Sequence, residues 1–444
     1  MKKRKKIQPI TLLFLGFFIL IIVGACLLML PFATKQGQNT SFIDALFISA
    51  SAACVTGLSP FNTFEHWTLF GQIVILILIQ IGGLGFMTII SVITWIVNKS
   101  IDLYGKSVLM QSAGTYSFGD VRPLLKRILI GTFIFETIGA ILISVFLYPT
   151  YGAVGIYYGL FTSISAFCNA GFDLFSNSLV DLNSNPGILA TIAFLIVIGG
   201  MGFLVWSDII DSRFRAKKLQ MHSKVVLTSM IFLIFIPALM FFIFDFTNIS
   251  HAGAFSNMPL IDKITNSIFL SITPRTAGFY SVDLTKLTSA SKSLIIILMF
   301  IGGNSGSTAG GLKVTTFIVI FLNLVSNARG KDEVCIFKQK VNDNILRQSS
   351  ALFISYLTLV VVSVVTIASI EDVSLESTIF ECVSALSTVG LSLGITSSLS
   401  IWSKIVLILL MYVGRLGAFG LFTLVMGKTN EHAIQHAEGR IMVG

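Results

Sequence analysis

The octapeptide Ala52-Ala53-Cys54-Val55-Thr56-Gly57-Leu58-Ser59 returns three times without a gap. The copies are Ala166-Phe167-Cys168-Asn169-Ala170-Gly171-Phe172-Asp173, Thr273-Pro274-Arg275-Thr276-Ala277-Gly278-Phe279-Tyr280 and Ala385-Leu386-Ser387-Thr388-Val389-Gly390-Leu391-Ser392. Their central glycines, Gly57, Gly171, Gly278 and Gly390, lie 114, 107 and 112 residues apart. A spacing this regular marks an internally repeated architecture. Each copy follows a short apolar segment, at 45–53, 158–167, 267–273 and 378–386, too short to cross a hydrocarbon core of about 30 Å at about 1.5 Å per residue. The segments therefore read as re-entrant half-helices.

Downstream of each copy comes a longer apolar run with its own recurring motif: Ile81-Gly82-Gly83-Leu84-Gly85, Ile198-Gly199-Gly200-Met201-Gly202, Ile301-Gly302-Gly303-Asn304 and Val413-Gly414-Arg415-Leu416-Gly417. The unit is thus span, half-helix, glycine loop, span. Four units predict an all-α integral membrane fold with eight transmembrane helices and four re-entrant loops around one central pore. The expected boundaries are 1–98, 99–212, 213–330 with a broken second span, and 331–444 including the C-terminal tail. An even number of crossings per unit keeps every copy in one orientation, so all four loops enter from the same face.

Composition agrees with this reading. Of 444 residues, 54% are hydrophobic and only 11% charged, with a mean hydropathy of +0.88, whereas soluble domains carry about 25% charged residues. Runs such as 10–31, 70–97 and 189–206 have the length of a membrane span. The first of them is too long for the apolar region of a signal peptide and has a poor cleavage site behind it, so it reads as a retained helix.

The net charge of +9 has a topological origin. Basic residues cluster at 2–6, at Lys99, Lys106, Arg122, Lys126 and Arg127, at Arg213, Arg215, Lys217, Lys218 and Lys224, and at Arg329, Lys331, Lys338, Lys340 and Arg347. These are alternate gaps between apolar runs, and the positive-inside rule places them, with both termini, in the cytoplasm. The clusters lack interleaved aromatics and adjoin spans, which speaks against nucleic acid. Five cysteines, at 26, 54, 168, 335 and 382, have no zinc or redox spacing. No span carries paired carboxylates, a zinc-protease motif or a nucleophile beside a base, so enzymatic chemistry is not expected.

Non-helical backbone at membrane depth is tolerated only where it is buried in protein or lines a watery path. Four such loops around an axis make a pore. A half-helix entering from outside aims its carbonyl end, worth about −0.5 charge, at the membrane centre, and rings of backbone carbonyls replace the hydration shell of K⁺. A glycine in each loop accepts the positive φ that turns its oxygen inward. The expected K⁺ filter is Val55, Thr56 and Gly57 with Asn169, Ala170 and Gly171, Thr276, Ala277 and Gly278, and Thr388, Val389 and Gly390.

This arrangement resembles the Trk/Ktr/HKT superfamily of potassium transporters, and the length without extra N-terminal helices resembles its KtrB-type membrane subunits. The resemblance covers nearly the whole chain and maps the family's filter glycines onto Gly57, Gly171, Gly278 and Gly390. It implies potassium uptake across the bacterial plasma membrane, with Na⁺ stimulation as a family trait and K⁺ as the transported ion. A glycine in the first loop is the K⁺-favouring type, where some Na⁺-selective relatives have serine. One glycine per loop, against the TVGYG of potassium channels, predicts weaker discrimination between K⁺ and Na⁺. The resemblance also implies a homodimer with one pore per subunit, resting on a cytoplasmic KtrA/KtrC-type ring that binds the regulatory nucleotide. The basic loops suit that ring and suit anionic membrane lipid equally.

The third unit departs from the pattern at Gly302, Gly303, Asn304, Ser305, Gly306, Ser307, Thr308, Ala309, Gly310 and Gly311. Glycine costs about 1 kcal/mol in a helix interior, so the span must break here. The resemblance implies a gate below the filter; close helix packing on small residues is the plainer reading. It is not a Walker loop, because Leu312 separates Gly311 from Lys313 and no Ser or Thr follows the lysine, so this chain is expected to bind no nucleotide itself.

Arg415 stands where other units have Gly83, Gly200 and Gly303. It reads either as a fixed cation lining the path or as an anchor for the 302–311 loop or for Glu136, and Lys313 shares both readings. Arg275, in the third filter loop, is expected to turn towards Glu381 or Asp283. Asp44 fits a helix N-cap, and Asp173 belongs at the outer mouth. The alternative to a channel-like path is an alternating-access secondary cation symporter, whose repeats commonly come as two related halves.

Overall fold

The computed structural model describes residues 9–36, 38, 40–85, 122–246, 258–331 and 333–417. These are almost wholly helical, with one short hairpin, β1 (Cys335–Ile336) against β2 (Gln339–Lys340). The basic terminal run, the segment 86–121 and the C-terminal tail with Lys428 and Arg440 lie outside the described residues.

Four times along the chain a long helix is followed by a short one, a glycine turn and a further helix. The long helices are α1 (Pro9–Leu28), α5 (Arg122–Tyr151), α9 (Met221–Phe246) and α13 (Asp343–Ile370). All four are long and apolar enough to cross a membrane. The short ones are α2 (Phe42–Ala53), α6 (Val154–Cys168), α10 (Leu260–Ile272) and α14 (Leu375–Leu386). Their 12 to 15 residues reach only about 18–22 Å at 1.5 Å per residue. A single turn, α3 (Thr63–His66), lies in the first outer loop.

The helices after the glycine turns are α4 (Leu69–Leu84), α7 (Pro186–Met201), α11 (Ser289–Ile301) and α15 (Ile401–Leu416). Each begins at a side-chain cap: Thr68, Asn185, Thr288 and Ser400 each accept a bond from an amide in the first turn. In the last two, a carboxylate from the preceding long helix secures the cap. Asp245 accepts from the Thr288 amide at 3.1 Å and the Ser291 hydroxyl at 2.6 Å. Glu371 accepts from the Ser400 amide at 2.8 Å and the Ser403 hydroxyl at 2.6 Å.

The helices that follow the glycine turns end at glycines. α4, α7 and α15 end on Gly85, Gly202 and Gly417, whose φ values are 83°, 104° and 90°. α11 ends three positions earlier in its unit, at Gly302 with φ 55°. Beyond Gly202 the chain resumes as α8 (Phe203–Asp211), bent by 87° from α7. Beyond 302–313 it resumes as α12 (Val314–Ala328). Among the described residues, four helices, or five with the bent pair, have the length and composition of a full span. At Gly85, Gly202 and Gly417 the backbone takes a conformation an L residue resists, and α4, α7 and α15 end there.

The core forms in two large clusters. One gathers Ile48, Trp67, Ile75, Phe161, Phe167 and Ile192 from the first half of the chain, the other Phe47, Met299, Tyr356, Phe380, Leu407 and Met411, mostly from the second. Outward, Phe133, Val145, Phe235, Leu239 and Val365 are exposed. An apolar surface of this kind marks contact with something other than water, and on spans of this length that is lipid.

Candidate functional site

The four glycine turns meet. A Cβ built on Gly57 would lie 2.5 Å from the Ala170 carbonyl oxygen and 3.0 Å from Gly171 Cα. One on Gly171 would lie 2.8 Å from Gly278 Cα, and one on Gly278 3.4 Å from Gly390 Cα. One on Gly390 would run into the Thr56 carbonyl, 2.9 Å from Gly57 Cα. The contacts close a ring in sequence order, and no side chain fits at any of its members.

Each turn carries the same backbone signature. Val55, Asn169, Thr276 and Thr388 have φ of 58°, 58°, 75° and 51°, and two residues on the glycines have 95°, 70°, 79° and 91°. A β-branched residue in the left-handed region is strained and persists only where its surroundings hold it. The restraint comes from the short helix behind. The amides of Thr56, Ala170 and Val389 donate at 2.8 Å to the carbonyls of Ser51, Ser165 and Ser384. The amides of Gly57 and Gly390 donate at 3.1 Å to the hydroxyls of Ser51 and Ser384. The third turn has Ile272 at this position and uses a substitute: Ala277 N donates to Thr273 O at 3.0 Å, and the Thr273 hydroxyl donates to Phe279 O. The amides are thus committed backwards. Among the described residues none of the twelve carbonyls in these triplets accepts a hydrogen bond.

The twelve triplet residues named from the sequence lie in these four turns; the serines behind them were not named. A serine six positions before the glycine in three of four copies was the available signal.

The glycine-rich motif downstream also gains a purpose. Gly82, Gly199 and Gly414 lie against the carbonyls of Ala53, Phe167 and Leu386, at the last or next-to-last residue of each short helix, so closely that a methyl group has no room. These glycines bring the second helices onto the backs of the turns.

Above the ring lies an open cavity of about 380 Å³ whose lining includes Gly57, Gly171, Gly278, Gly390, Asp173 and Asp283. Asp173 accepts from the Phe175 amide at 3.0 Å. Burial pushes its carboxyl up to about 6, against hydrogen bonds from Ser178 and Phe175 that pull it down. Asp44 differs from expectation: Ser41 is the N-cap of α2, accepting from the Asp44 amide at 3.1 Å. Asp44 sits in the first turn and pairs with Lys404 at 2.8 Å. His66, given no role from sequence, is buried, 2.6 Å from the Thr40 hydroxyl and stacked on Phe61.

Below the ring runs the 302–311 segment, without helix, its Gly302, Gly303, Asn304, Thr308, Ala309, Gly310 and Gly311 all buried. On one side Thr308 N donates to Gly199 O at 3.4 Å, Asn304 Nδ2 to Gly200 O at 2.9 Å, and Gly306 O accepts from Phe203 N at 2.8 Å. On the other side Gly311 N donates to Gly414 O at 3.3 Å, and a Cβ on Gly310 would strike the Thr388 side chain. The segment therefore bridges the second and fourth units directly under the turns. Ser305 and Ser307 fold back locally, on Thr315 and Asn304 O, and Lys313 Nζ donates to Ala309 O at 2.8 Å and Gly310 O at 3.2 Å.

Arg415 joins this assembly. Its guanidinium donates to Thr308 O in the bridging segment and to Gly82 O in the first unit. It does not reach Glu136, which instead accepts from Gln80 at 3.3 Å and from Cys168. The expected partners of Arg275 also need correction. Among the described residues no ion pair joins Arg275 to either: Glu381 accepts from Thr396 through one oxygen, Asp283 is bonded by Thr285 and Lys286, and Arg275 lines a small cavity together with Asn304.

A multi-pass helical membrane protein with a closed ring of glycine turns between an open cavity and a buried bridging segment is, by class, a transport protein. Residues 17–434 match the family described as "TrkH: Cation transport protein". The chain belongs to this family, and it is not an enzyme. It is similar to the "Potassium/sodium uptake protein NtpJ" of Enterococcus hirae, 39% identical over all of this chain and 99% of that one. It is also similar to the "Ktr system potassium uptake protein B" of Bacillus subtilis, 37% identical over 99% of this chain and 97% of that one. Among solved structures, the potassium transporter TrkH from Vibrio parahaemolyticus covers 96% of this chain at a TM-score of 0.77 and 18% identity, matching 86% of its own length. The fold is shared.

Proposed function

We propose that the chain is the membrane subunit of a potassium uptake system, built as four parallel units around one pore. The ring of glycine turns is its selectivity filter and the 302–311 segment with Arg415 its gate. The observation that carries this reading is the ring itself: twelve carbonyls without donors among the described residues, beside amides of which nine are committed to the helices and turns behind them. Such oxygens can replace the hydration shell of a monovalent cation, and the carbonyl ends of four short helices reinforce the preference for positive charge. Full-length relatives named for potassium and potassium/sodium uptake support K⁺ as the principal ion.

On this reading the cavity faces outward, the basic loops and both termini face the cytoplasm of the bacterial plasma membrane, and the bridging segment obstructs the inner half of the path. Relatives named as Ktr system components support a separate regulatory partner, a KtrA/KtrC-type nucleotide-binding ring under a homodimer of this chain. The test is radioactive rubidium uptake into proteoliposomes of the purified protein under opposed K⁺ gradients. Uptake that excess K⁺ blocks, and that deletion of 303–310 raises, is the expected result. No uptake by any variant, with the nucleotide-binding partner added, removes the pore and favours alternating access.

A further inference from the structure

Between the third filter turn and the start of the bridging segment lies a small cavity of about 10 Å³, whose lining includes Arg275, Asn304, Gly200, Gly303, Ile196 and Met230. Two of these residues each carry a buried polar atom without a partner among the described residues: Nε of Arg275, on a residue 7% exposed, and Oδ1 of Asn304, on a residue 2% exposed. The Asn304 amide cannot be turned over to relieve this. Gly200 O only accepts, so Nδ2 must face it at 2.9 Å, and Oδ1 is the atom left over. One atom is an obligatory donor and the other an acceptor, and buried polar groups of this kind are ordinarily satisfied. The cavity has the size of one water molecule, and such a site holds water when polar groups line it.

We propose that Arg275 is a positioning residue that latches the bridging segment to the third filter turn, through a single buried water shared with Asn304. The latch has three anchors. Arg275 sits three residues before Gly278 in the filter turn. Asn304 lies in the first residues of the bridging segment. Gly200 O belongs to the end of α7, two residues before the 87° bend at Gly202. Movement of the bridging segment out of the path takes Asn304 away and leaves a buried guanidinium without its acceptor, so the link favours the closed arrangement. It acts opposite Arg415, which holds the far part of the same segment through Thr308 O. The charge of Arg275 is thereby assigned a purpose that does not require it to face the ion.

The inference rests on the gate reading for its effect on flux, and its test separates the two. In proteoliposomes of the full-length protein, Asn304→Leu removes the acceptor and should raise rubidium uptake about threefold or more. Asn304→Asp gives Arg275 a charged partner and should lower uptake several-fold. Competition by K⁺ and Na⁺ should stay as in the parent for both. Changes in the same direction, or none, overturn the latch, whereas a deletion of 303–310 that fails to raise uptake overturns the gate. Thermal unfolding of the detergent-solubilised protein reads the link independently of flux. The double variant Arg275→Met/Asn304→Leu should lose no more than the worse single variant, and additive losses would sink the proposal.

Discussion

Four glycines carry the proposed filter, and the reason is steric before it is chemical. At Gly57 a side chain meets both a left-handed φ of 95° and the Ala170 carbonyl, so even serine must displace the neighbouring turn. Gly57→Ser should therefore shift the K⁺ to Na⁺ preference rather than merely slow uptake, as read by competing each ion against rubidium. The serines behind the turns have a gentler effect. Ser51→Ala and Ser384→Ala each remove one hydroxyl acceptor from a glycine amide, a loss of about 1 kcal/mol. Both should lower the melting temperature modestly and leave uptake measurable. Asp173 belongs to the same scale. Its carboxyl, held up to about 6 by burial, is ionised above that pH and neutral below it, so acidification from about pH 7 to about pH 5 removes one negative charge from the outer cavity. Uptake should fall over that interval in the parent and stay flat in Asp173→Asn, and equal pH profiles for the two would refute the role.

At the scale of elements, the periodic features and the densest interruption were legible in the sequence, and the single-glycine stops were not. The short helices, the turns and the interrupted span at 302–311 follow from apolar length and glycine density alone. The stops at Gly85, Gly202 and Gly417 were not legible, because a single glycine in an apolar run is compatible with a continuous helix and only its neighbours decide the φ it takes. The partners of Arg275 were hidden for a related reason, because they were sought among acidic residues; for Arg415 the 302–311 loop was a named candidate and Thr308 O accepts from it, while its second acceptor, Gly82 O, is a backbone carbonyl that no sequence pattern displays. That geometry divides the two readings of Arg415. Lysine keeps the charge but cannot reach Thr308 O and Gly82 O together, since the fork of donors is lost. A pure electrostatic barrier predicts unchanged uptake for Arg415→Lys; an anchor predicts a rise. Each charged hydrogen bond is worth about 1.5–3 kcal/mol, so we expect an increase of several-fold, measured beside Arg415→Met, and no increase would assign the residue to the barrier alone.

Across the whole molecule, four consecutive units form a ring only if the last closes on the first, and the chain offers no covalent link there. Closure is carried by side chains. Lys404 at the start of α15 pairs with Asp44 in the first turn of α2 at 2.8 Å, with side-chain exposures of only 12% and 16%. Further along α15 the Tyr412 hydroxyl donates to Phe14 O in α1 at 2.6 Å, and Arg415 reaches Gly82 O. Three bonds thus run down one seam, from the outer cavity to the bridging segment. A pair this buried is costly to break from one side, about 3–5 kcal/mol, because the remaining charge stays in place without compensation. Lys404→Met should therefore destabilise the protein far more than changes at the exposed Arg127 and Asp211 pair, which is solvated and worth at most about 1 kcal/mol. The seam joins the same two units whose turns touch at Gly57 and Gly390, so opening it should loosen the ring where the first and fourth turns meet. Lys404→Met combined with Asp44→Leu removes both charges and should recover most of the lost stability, with K⁺ selectivity recovering in parallel. Recovery of the melting temperature without recovery of selectivity would show that the pair tunes the filter by its charge and not by closing the ring.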